Sequence, residues 1–219
     1  MVKPRKTQRL KTRLWKHHLA LGIGSLLAVY LVNSMIQSDY AMYRWSMASG
    51  YVGLALLVIT LILGPAKLLS GKRYPRSNDL RRDFGIWSAI IGLIHVVVGI
   101  QVHMGNPWLY FFLKDPFPQQ LVLRGDLFGF ANYTGLVAAL ILLFLLLLSN
   151  DLSMKKLGGK RWKNLQRWSY GIFLFVIAHS IAYQVIEERK MLYLIIFSLL
   201  ALITVTLQLV GFFKWRSTN

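Results

Sequence analysis

Six long apolar runs divide the sequence, and polar or charged stretches separate them. Each run is about 20 residues long, which is the length an α-helix needs to cross the hydrocarbon core of a bilayer. Backbone polar groups must be satisfied within the segment there, so each run is predicted to be helical. The predicted fold class is an all-α integral membrane protein with six transmembrane helices, at about residues 18–36, 46–66, 84–104, 127–149, 168–186 and 191–213.

The composition agrees with a single membrane domain. Hydrophobic residues make up 55% of the 219 residues, and the mean hydropathy is +0.48. We divide the chain into a basic cytoplasmic arm at 1–17, a six-helix membrane domain at 18–213 and a cytoplasmic tail at 214–219. Gly64 and Pro65 are predicted to stop or kink the second helix. The leucine-rich fourth helix is predicted to be a lipid-facing scaffold.

Positive charge alternates between the two ends of the predicted helices. Of the 26 Lys and Arg residues, 21 lie in the arm, in the loops at 67–83 and 150–167, and in the tail. Cytoplasmic segments of membrane proteins carry such an excess, so both termini are predicted to be cytoplasmic. The same bias explains the net charge of +18 without a nucleic acid partner. The arm is expected to lie on anionic lipid headgroups.

Two histidines lie deep within predicted helices. His95 follows Phe84 by 11 residues and His179 follows Trp168 by 11, which is roughly 16 Å along each helix. Both helices run in the same direction, so the two imidazoles are expected at equal depth. Ionisable side chains inside a span are costly and are functional candidates by default. The pair predicts an axially ligated haem, and the alternatives are a structural pair, a proton relay or another metal.

Other residues near these histidines are weaker candidates. Gly92 and Gly99 share the helix face of His95 and are expected to leave room for a flat macrocycle, or to form a seam for close helix packing. His103 lies roughly 12 Å further along and about 80° round the helix. It is expected to serve an outer acceptor site, to contact a haem edge or to be interfacial. His17 and His18 are expected to be solvated.

Two further features of the sequence are its lack of cysteine and the composition of the connection at 105–126. The chain has no cysteine, which excludes thiolate metal sites, iron–sulfur clusters and covalent haem attachment. The connection at 105–126 holds three of the six prolines and several aromatic residues. Aromatic side chains favour the membrane interface, so this connection is expected to lie along the outer face or to cap a site.

Two motifs resemble the ferric reductase-like transmembrane domain, which is shared by ferric reductases, NADPH oxidases and the haem-binding membrane subunit of the bacterial methionine sulfoxide reductase system. One motif is RRDFG at 81–85, followed ten residues later by His95. The other is WKNLQRWSY at 162–170, followed nine residues later by His179. The resemblance covers about 47–190.

The resemblance implies haem b with His95 and His179 as the axial ligands of the iron. Many family members hold a second haem through histidines about 13 residues earlier on the same helices. Arg82 and Gln166 occupy those positions here, so we expect one haem, and a second would need an unusual ligand such as Gln166 or the N-terminal histidines. Arg82 and Arg167 are expected to neutralise haem propionates, to dock a negatively charged flavoprotein, or to belong only to the general excess of positive charge in cytoplasmic segments.

The predicted function is that of a membrane b-type cytochrome subunit in a bacterial plasma membrane. It would relay electrons from a cytoplasmic flavin or quinol donor through a bis-histidine haem to an acceptor. FAD or FMN would be present only in a partner, so the partners are the lipid bilayer and a flavoprotein reductase or the quinone pool. The alternatives are a proton-relay transporter and a non-redox membrane assembly protein of the same fold. A transporter would be expected to carry intramembrane carboxylates, and none is predicted deep in a helix.

Overall fold

A computed structural model of the chain describes residues 14–71, 77–114 and 121–217. Within these ranges a π-helical turn, Leu14–Leu19, leads into the first of eight α-helices. The helices are α1 (Ala20–Met35), α2 (Ala41–Leu69), α3 (Ser77–Gly99), α4 (Leu127–Leu148), α5 (Asp151–Leu157), α6 (Gly159–Gln166), α7 (Trp168–Ile186) and α8 (Met191–Ser217).

Six of the helical segments in the described residues are long and apolar enough to cross a membrane. These are α1, α2, α3, α4, α8 and the stretch formed by α6 and α7, which runs through Gly159–Ile186. The fold class predicted from the apolar runs is therefore confirmed. The connection between α3 and α4 adds a 3₁₀ turn at Pro107–Tyr110 and an antiparallel pair of short strands, β1 (Phe112–Lys114) and β2 (Leu121–Leu123).

The six long helices form two groups that meet in the middle of the bundle. Helix α2 is the most buried and packs against α1, α3 and α8, while α4 packs along α7. Helix α3 also contacts α4 and so joins the two groups. We call the end of the bundle that holds the start of α3 at Ser77 and helix α5 the basic end, and the other the opposite end. The candidate site lies where the two groups meet.

Helix α3 is displaced from its predicted position. It begins at Ser77 and ends at Gly99, whereas the apolar run predicted 84–104. The polar turns before Phe84 are helical, with Asp79 in the first turn, where a negative charge is favourable for the helix dipole. His95 consequently lies one turn from the end of α3, about 6 Å from Gly99, and not near the middle of the helix.

Helix α2 continues through Pro65 to Leu69, so of the predicted stop or kink at Gly64 and Pro65, the stop is wrong. A proline has no N–H, which leaves the carbonyl group four residues earlier without its helical partner. That carbonyl belongs to Leu61, and the side chain of Gln208 on α8 donates to it at 2.7 Å. A neighbouring helix thus supplies the missing donor, which is how prolines are tolerated inside membrane helices.

We predict that Gln208→Leu lowers the thermal stability of the detergent-solubilised protein, by roughly 1 kcal/mol for the lost interhelical hydrogen bond. The same substitution should cost much less in a Pro65→Ala background, because the new N–H at position 65 satisfies the Leu61 carbonyl group. Thermal unfolding of the four proteins in this double-mutant cycle measures the coupling. An equal cost of Gln208→Leu in both backgrounds would refute this explanation for the continuous helix.

Candidate functional site

His95 on α3 and His179 on α7 face each other inside the bundle. Their ring centres are 6.1 Å apart, and the ring planes form an angle of 83°. A metal–imidazole bond is about 2 Å long, and each ring nitrogen lies about 1 Å from the centre of its ring. Two imidazoles on opposite sides of one metal ion therefore have their ring centres roughly 6 Å apart. The observed separation therefore fits two imidazoles that share one metal ion.

Both histidines are held by the same kind of hydrogen bond. The Nδ1 atom of His95 lies 2.8 Å from the carbonyl oxygen of Ser46 on α2, and Nδ1 of His179 lies 2.8 Å from the carbonyl oxygen of Ala131 on α4. A carbonyl oxygen can only accept, so each Nδ1 carries the proton and donates it. Each Nε2 then keeps a free lone pair, which is the form of imidazole that ligates metals.

A glycine four residues after each carbonyl group makes these bonds accessible. In a helix the Cα–Cβ bond tilts towards the N-terminus, so a side chain covers the turn before it. Gly50 follows Ser46 by four residues and Gly135 follows Ala131 by four. A Cβ atom would lie 3.1 Å from Nδ1 of His95 at Gly50, and 2.7 Å from Nδ1 of His179 at Gly135. The contact at Gly135 would force the His179 ring to move, and the contact at Gly50 would be tight.

A cavity of about 190 Å³ contains both rings and is lined by small, apolar and polar residues. Gly92 and Gly99 line it as well. Gly92 also lies at the crossing of α2 and α3, where a Cβ atom at Gly53 would be 3.5 Å from its backbone nitrogen. Added Cβ atoms at Gly92 and Gly99 would make ordinary contacts at 3.5 Å, so these two glycines are less critical than those beside the rings.

Helix α4 contributes more to the site than its sequence suggested. Its leucine-rich face is exposed at Leu140 and Leu147, as predicted for a lipid-facing scaffold. Its other face carries Ala131, which holds His179, and Gly135, which makes room for that ring. Small residues recur along this face of α4, and that spacing is the sequence signal by which it could have been recognised.

The end of the cavity that points towards the opposite end of the bundle is polar. His103 donates from Nε2 to a carboxylate oxygen of Glu187 at 2.8 Å, and this hydrogen bond is the main reason that the pKa of Glu187 lies below its usual value. The His103 ring stacks on Tyr183, with centres 5.9 Å apart, and Tyr183 contacts His179. His103 therefore lines the same cavity but belongs to its polar end.

The connection between α3 and α4 closes this end of the cavity. Tyr110 is 1% exposed, donates to the carbonyl oxygen of Gly99 and accepts from the backbone N–H of His103. Tyr110 and Phe111 both line the cavity. The described part of this connection therefore caps the cavity.

At the basic end, Arg82 joins α3 to the start of α5. Its guanidinium group donates to the carbonyl oxygen of Ser149 at 2.9 and 3.1 Å and to Asp151 at 2.7 Å. Among the described residues, Arg82, Gln166 and Arg167 are absent from the cavity wall. The Nε2 atom of Gln166 is buried and has no hydrogen-bond partner in the described part of the chain. The roles expected for these three residues stay predictions.

The expectation that His17 and His18 are solvated is wrong. His17 lies 2.9 Å and His18 3.3 Å from the carboxylate group of Asp83, whose side chain is fully buried. A buried carboxylate must be paired or hydrogen-bonded, and the first turn of the N-terminal helix supplies two partners. Asp83 is a buried acid that the sequence had not predicted, and it lies in the second turn of α3, far from the two facing rings.

The chain belongs to the family of ferric reductase-like transmembrane components. The family model, described as ferric reductase like transmembrane component, matches residues 49–177, which is more than half of the chain. Together with the six membrane-length helices, this makes the chain a multi-pass integral membrane protein. The match agrees with the expected extent of about 47–190, although it stops just before His179.

Two curated relatives extend this assignment. The chain is 29% identical over 127 residues to the protein-methionine-sulfoxide reductase heme-binding subunit MsrQ of Azospira oryzae, across 58% of this chain and 48% of that protein. It is 27% identical over 129 residues to the magnetosome protein MamZ of Magnetospirillum gryphiswaldense, across 57% of this chain and 17% of that protein. The chain thus spans about half of the first relative and less of the second. Bacterial relatives fit a location in a bacterial inner membrane.

The space around Gly135 and Gly24 leads to different predictions for their substitution by alanine. Gly135→Ala should lower the thermal stability, because the new Cβ atom would lie 2.7 Å from Nδ1 of His179 and the ring would have to leave its carbonyl partner. Gly24→Ala in α1 should leave the stability unchanged or raise it by about 1 kcal/mol, because Ala is the better helix former and nothing lies within 4 Å of its Cβ position. Thermal unfolding of both variants in one detergent compares them, and shifts of equal sign and size would contradict the packing argument.

Proposed function

We propose that the chain is the haem-binding membrane subunit of an electron-transfer system and that it binds one b-type haem. The Nε2 atoms of His95 and His179 would be the two axial ligands of the iron. The observation that carries this proposal is the pair of rings whose Nδ1 atoms are both fixed to backbone carbonyl groups, at a centre separation of 6.1 Å. Membership of the ferric reductase-like family and the haem-binding description of the Azospira relative support it.

The residues of the cavity fit such a group. Each carbonyl partner sets the tautomer and orientation of its imidazole and raises its basicity as a ligand. Gly50 and Gly135 let the rings lie against their helices, and Gly92 and Gly99 keep the cavity wall thin. Bound haem would supply a one-electron couple with both axial positions filled, which favours outer-sphere electron transfer over binding of oxygen.

The position of the two histidines along the helices bears on the electron donor. His95 lies about 6 Å from the end of α3 at Gly99 and roughly 27 Å from its start at Ser77. An electron from a flavin docked at the basic end would have to cross most of the membrane without an intermediate centre. A quinol dissolved in the bilayer can approach the helices at any depth. We therefore propose that the electron donor is a quinol rather than a cytoplasmic flavoprotein. The electron acceptor would lie at the opposite end of the bundle.

A proton-relay transporter is the weaker candidate. Its buried acid would be Asp83, but His17 and His18 already bind that carboxylate group at the basic end. Glu187 is bound by His103 at the opposite end. The two acids therefore lie at opposite ends of the bundle, each held by histidine, and the electron-transfer function is the better supported.

We predict that His95→Ala and His179→Ala each abolish haem binding, because one remaining imidazole cannot fill both axial positions. His18→Ala should keep the full haem content, since its partner is Asp83 and not the cavity. Reduced-minus-oxidised absorption spectra of the purified proteins, with haem quantified as pyridine haemochrome, measure the effect. Full retention of a low-spin spectrum in either of the first two variants would refute the ligand assignment.

The donor is tested separately on the wild-type protein in vesicles. A quinol analogue should reduce the haem in the absence of any flavoprotein. Reduction that requires an added flavoprotein and its nicotinamide substrate, with no effect of the quinol, would assign the donor to the basic end instead.

A further inference from the structure

Two buried polar atoms at the polar end of the cavity lack a partner among the described residues. They are Nε of Arg189, in the turn between α7 and α8, and Oε1 of Gln184, in the last turns of α7. Both residues line the same cavity as His95 and His179. Buried polar groups are nearly always hydrogen-bonded, and an unpaired charged group is especially costly. Two such groups at one end of a cavity indicate a polar ligand there.

The charges around Arg189 indicate that this ligand is an anion. The acid next to it in the cavity wall is Glu187, whose carboxylate group accepts a hydrogen bond from His103 at 2.8 Å. Within the described residues, the guanidinium group of Arg189 forms no salt bridge and no side-chain hydrogen bond. A guanidinium group presents a planar fork of donors that matches a carboxylate, often with two parallel hydrogen bonds.

Gln184 is placed to provide a second donor. Its Nε2 atom lies 3.2 Å from the hydroxyl group of Tyr51, while its Oε1 atom has no donor nearby. The oxygen and nitrogen of a side-chain amide have nearly the same shape, and the hydrogen-bond network decides their assignment. The Tyr51 hydroxyl group donates its one hydrogen to the carbonyl oxygen of Tyr193 at 3.2 Å. If the amide is rotated by 180° and the Tyr51 hydroxyl group turns from that carbonyl to Oε1, the NH₂ group points into the cavity.

We propose that Arg189 and Gln184 bind a carboxylate group at the polar end of the cavity, and that this group is a propionate of the haem. This inference rests on the function proposed above. Haem is an amphiphilic macrocycle that carries both of its carboxylates on one edge. The polar end of the cavity likewise lies on one side of the imidazole rings of His95 and His179, so that edge of the haem would lie at the polar end. The assignment replaces the expectation for Arg82 and Arg167, of which Arg82 is bound to Ser149 and Asp151 at the basic end.

The test compares two porphyrins on the full-length protein, purified without haem from haem-deficient cells. One is iron protoporphyrin IX, and the other is its dimethyl ester, which has no ionised carboxylate. The wild-type protein should bind the free acid more tightly than the ester by roughly tenfold or more, as expected for a hydrogen bond to a charged group. Arg189→Gln should bind both with nearly equal affinity, and Arg189→Lys should keep part of the preference.

Lys190→Gln is the matched control. It removes the same charge from the neighbouring residue of the same turn, but Lys190 is exposed and its amine contacts Gln37 outside the cavity. This variant should keep the wild-type preference for the free acid. A general loss of positive charge near the membrane surface would instead lower the preference equally in Arg189→Gln and Lys190→Gln, and that result would overturn the proposal.

The remaining outcomes separate this proposal from the proposed function. If Arg189→Gln binds haem normally and still prefers the free acid over the ester, Arg189 does not hold a propionate. If Arg189→Gln and Arg189→Lys weaken both porphyrins equally, the role of Arg189 is structural. Either result overturns the carboxylate assignment and leaves the bis-histidine site intact. If the wild-type protein binds neither porphyrin with a low-spin spectrum, the proposed function fails as well.

Discussion

The candidate site depends on two hydrogen bonds between histidine side chains and helix carbonyl groups. His95 and His179 each donate from Nδ1 to a carbonyl group on a neighbouring helix, and in both cases a glycine four residues later uncovers that carbonyl. The hydrogen bonds fix both tautomers, direct both Nε2 atoms inwards and bind α2 to α3 and α4 to α7. A side chain at position 135 would displace the ring of His179, and one at position 50 would push the ring of His95 by a few tenths of an ångström.

The two ends of the bundle use their polar residues in different ways. At the basic end, Arg82 and Asp83 are bound to neighbouring segments of the chain, while Nε2 of Gln166 is buried without a partner among the described residues. At the opposite end, His103 and Glu187 bind each other, whereas Nε of Arg189, which lines the cavity, has no hydrogen-bond partner in the described part of the chain. This asymmetry agrees with a single cofactor site close to the opposite face of the membrane.

Much of the fold could be predicted from the sequence because bilayer thickness sets the length of an apolar helix. The juxtaposition of His95 and His179 followed from equal residue counts on helices of like direction. The path of α2 through Pro65 could not be predicted, because its missing hydrogen bond is replaced by Gln208, which is remote in sequence. The roles of Gly50 and Gly135 were missed for a related reason, since a glycine beside a ligand is recognised only when the packing of its helix is known.

The most direct test of the account is the absorption spectrum of the purified, dithionite-reduced protein before and after exposure to carbon monoxide, with the haem content per chain measured on the same sample. The account predicts about one b-type haem per chain and a low-spin spectrum that carbon monoxide leaves unchanged, because in the proposed site His95 and His179 would fill both axial positions. A colourless protein, or a haem that binds carbon monoxide readily, would contradict the bis-histidine site.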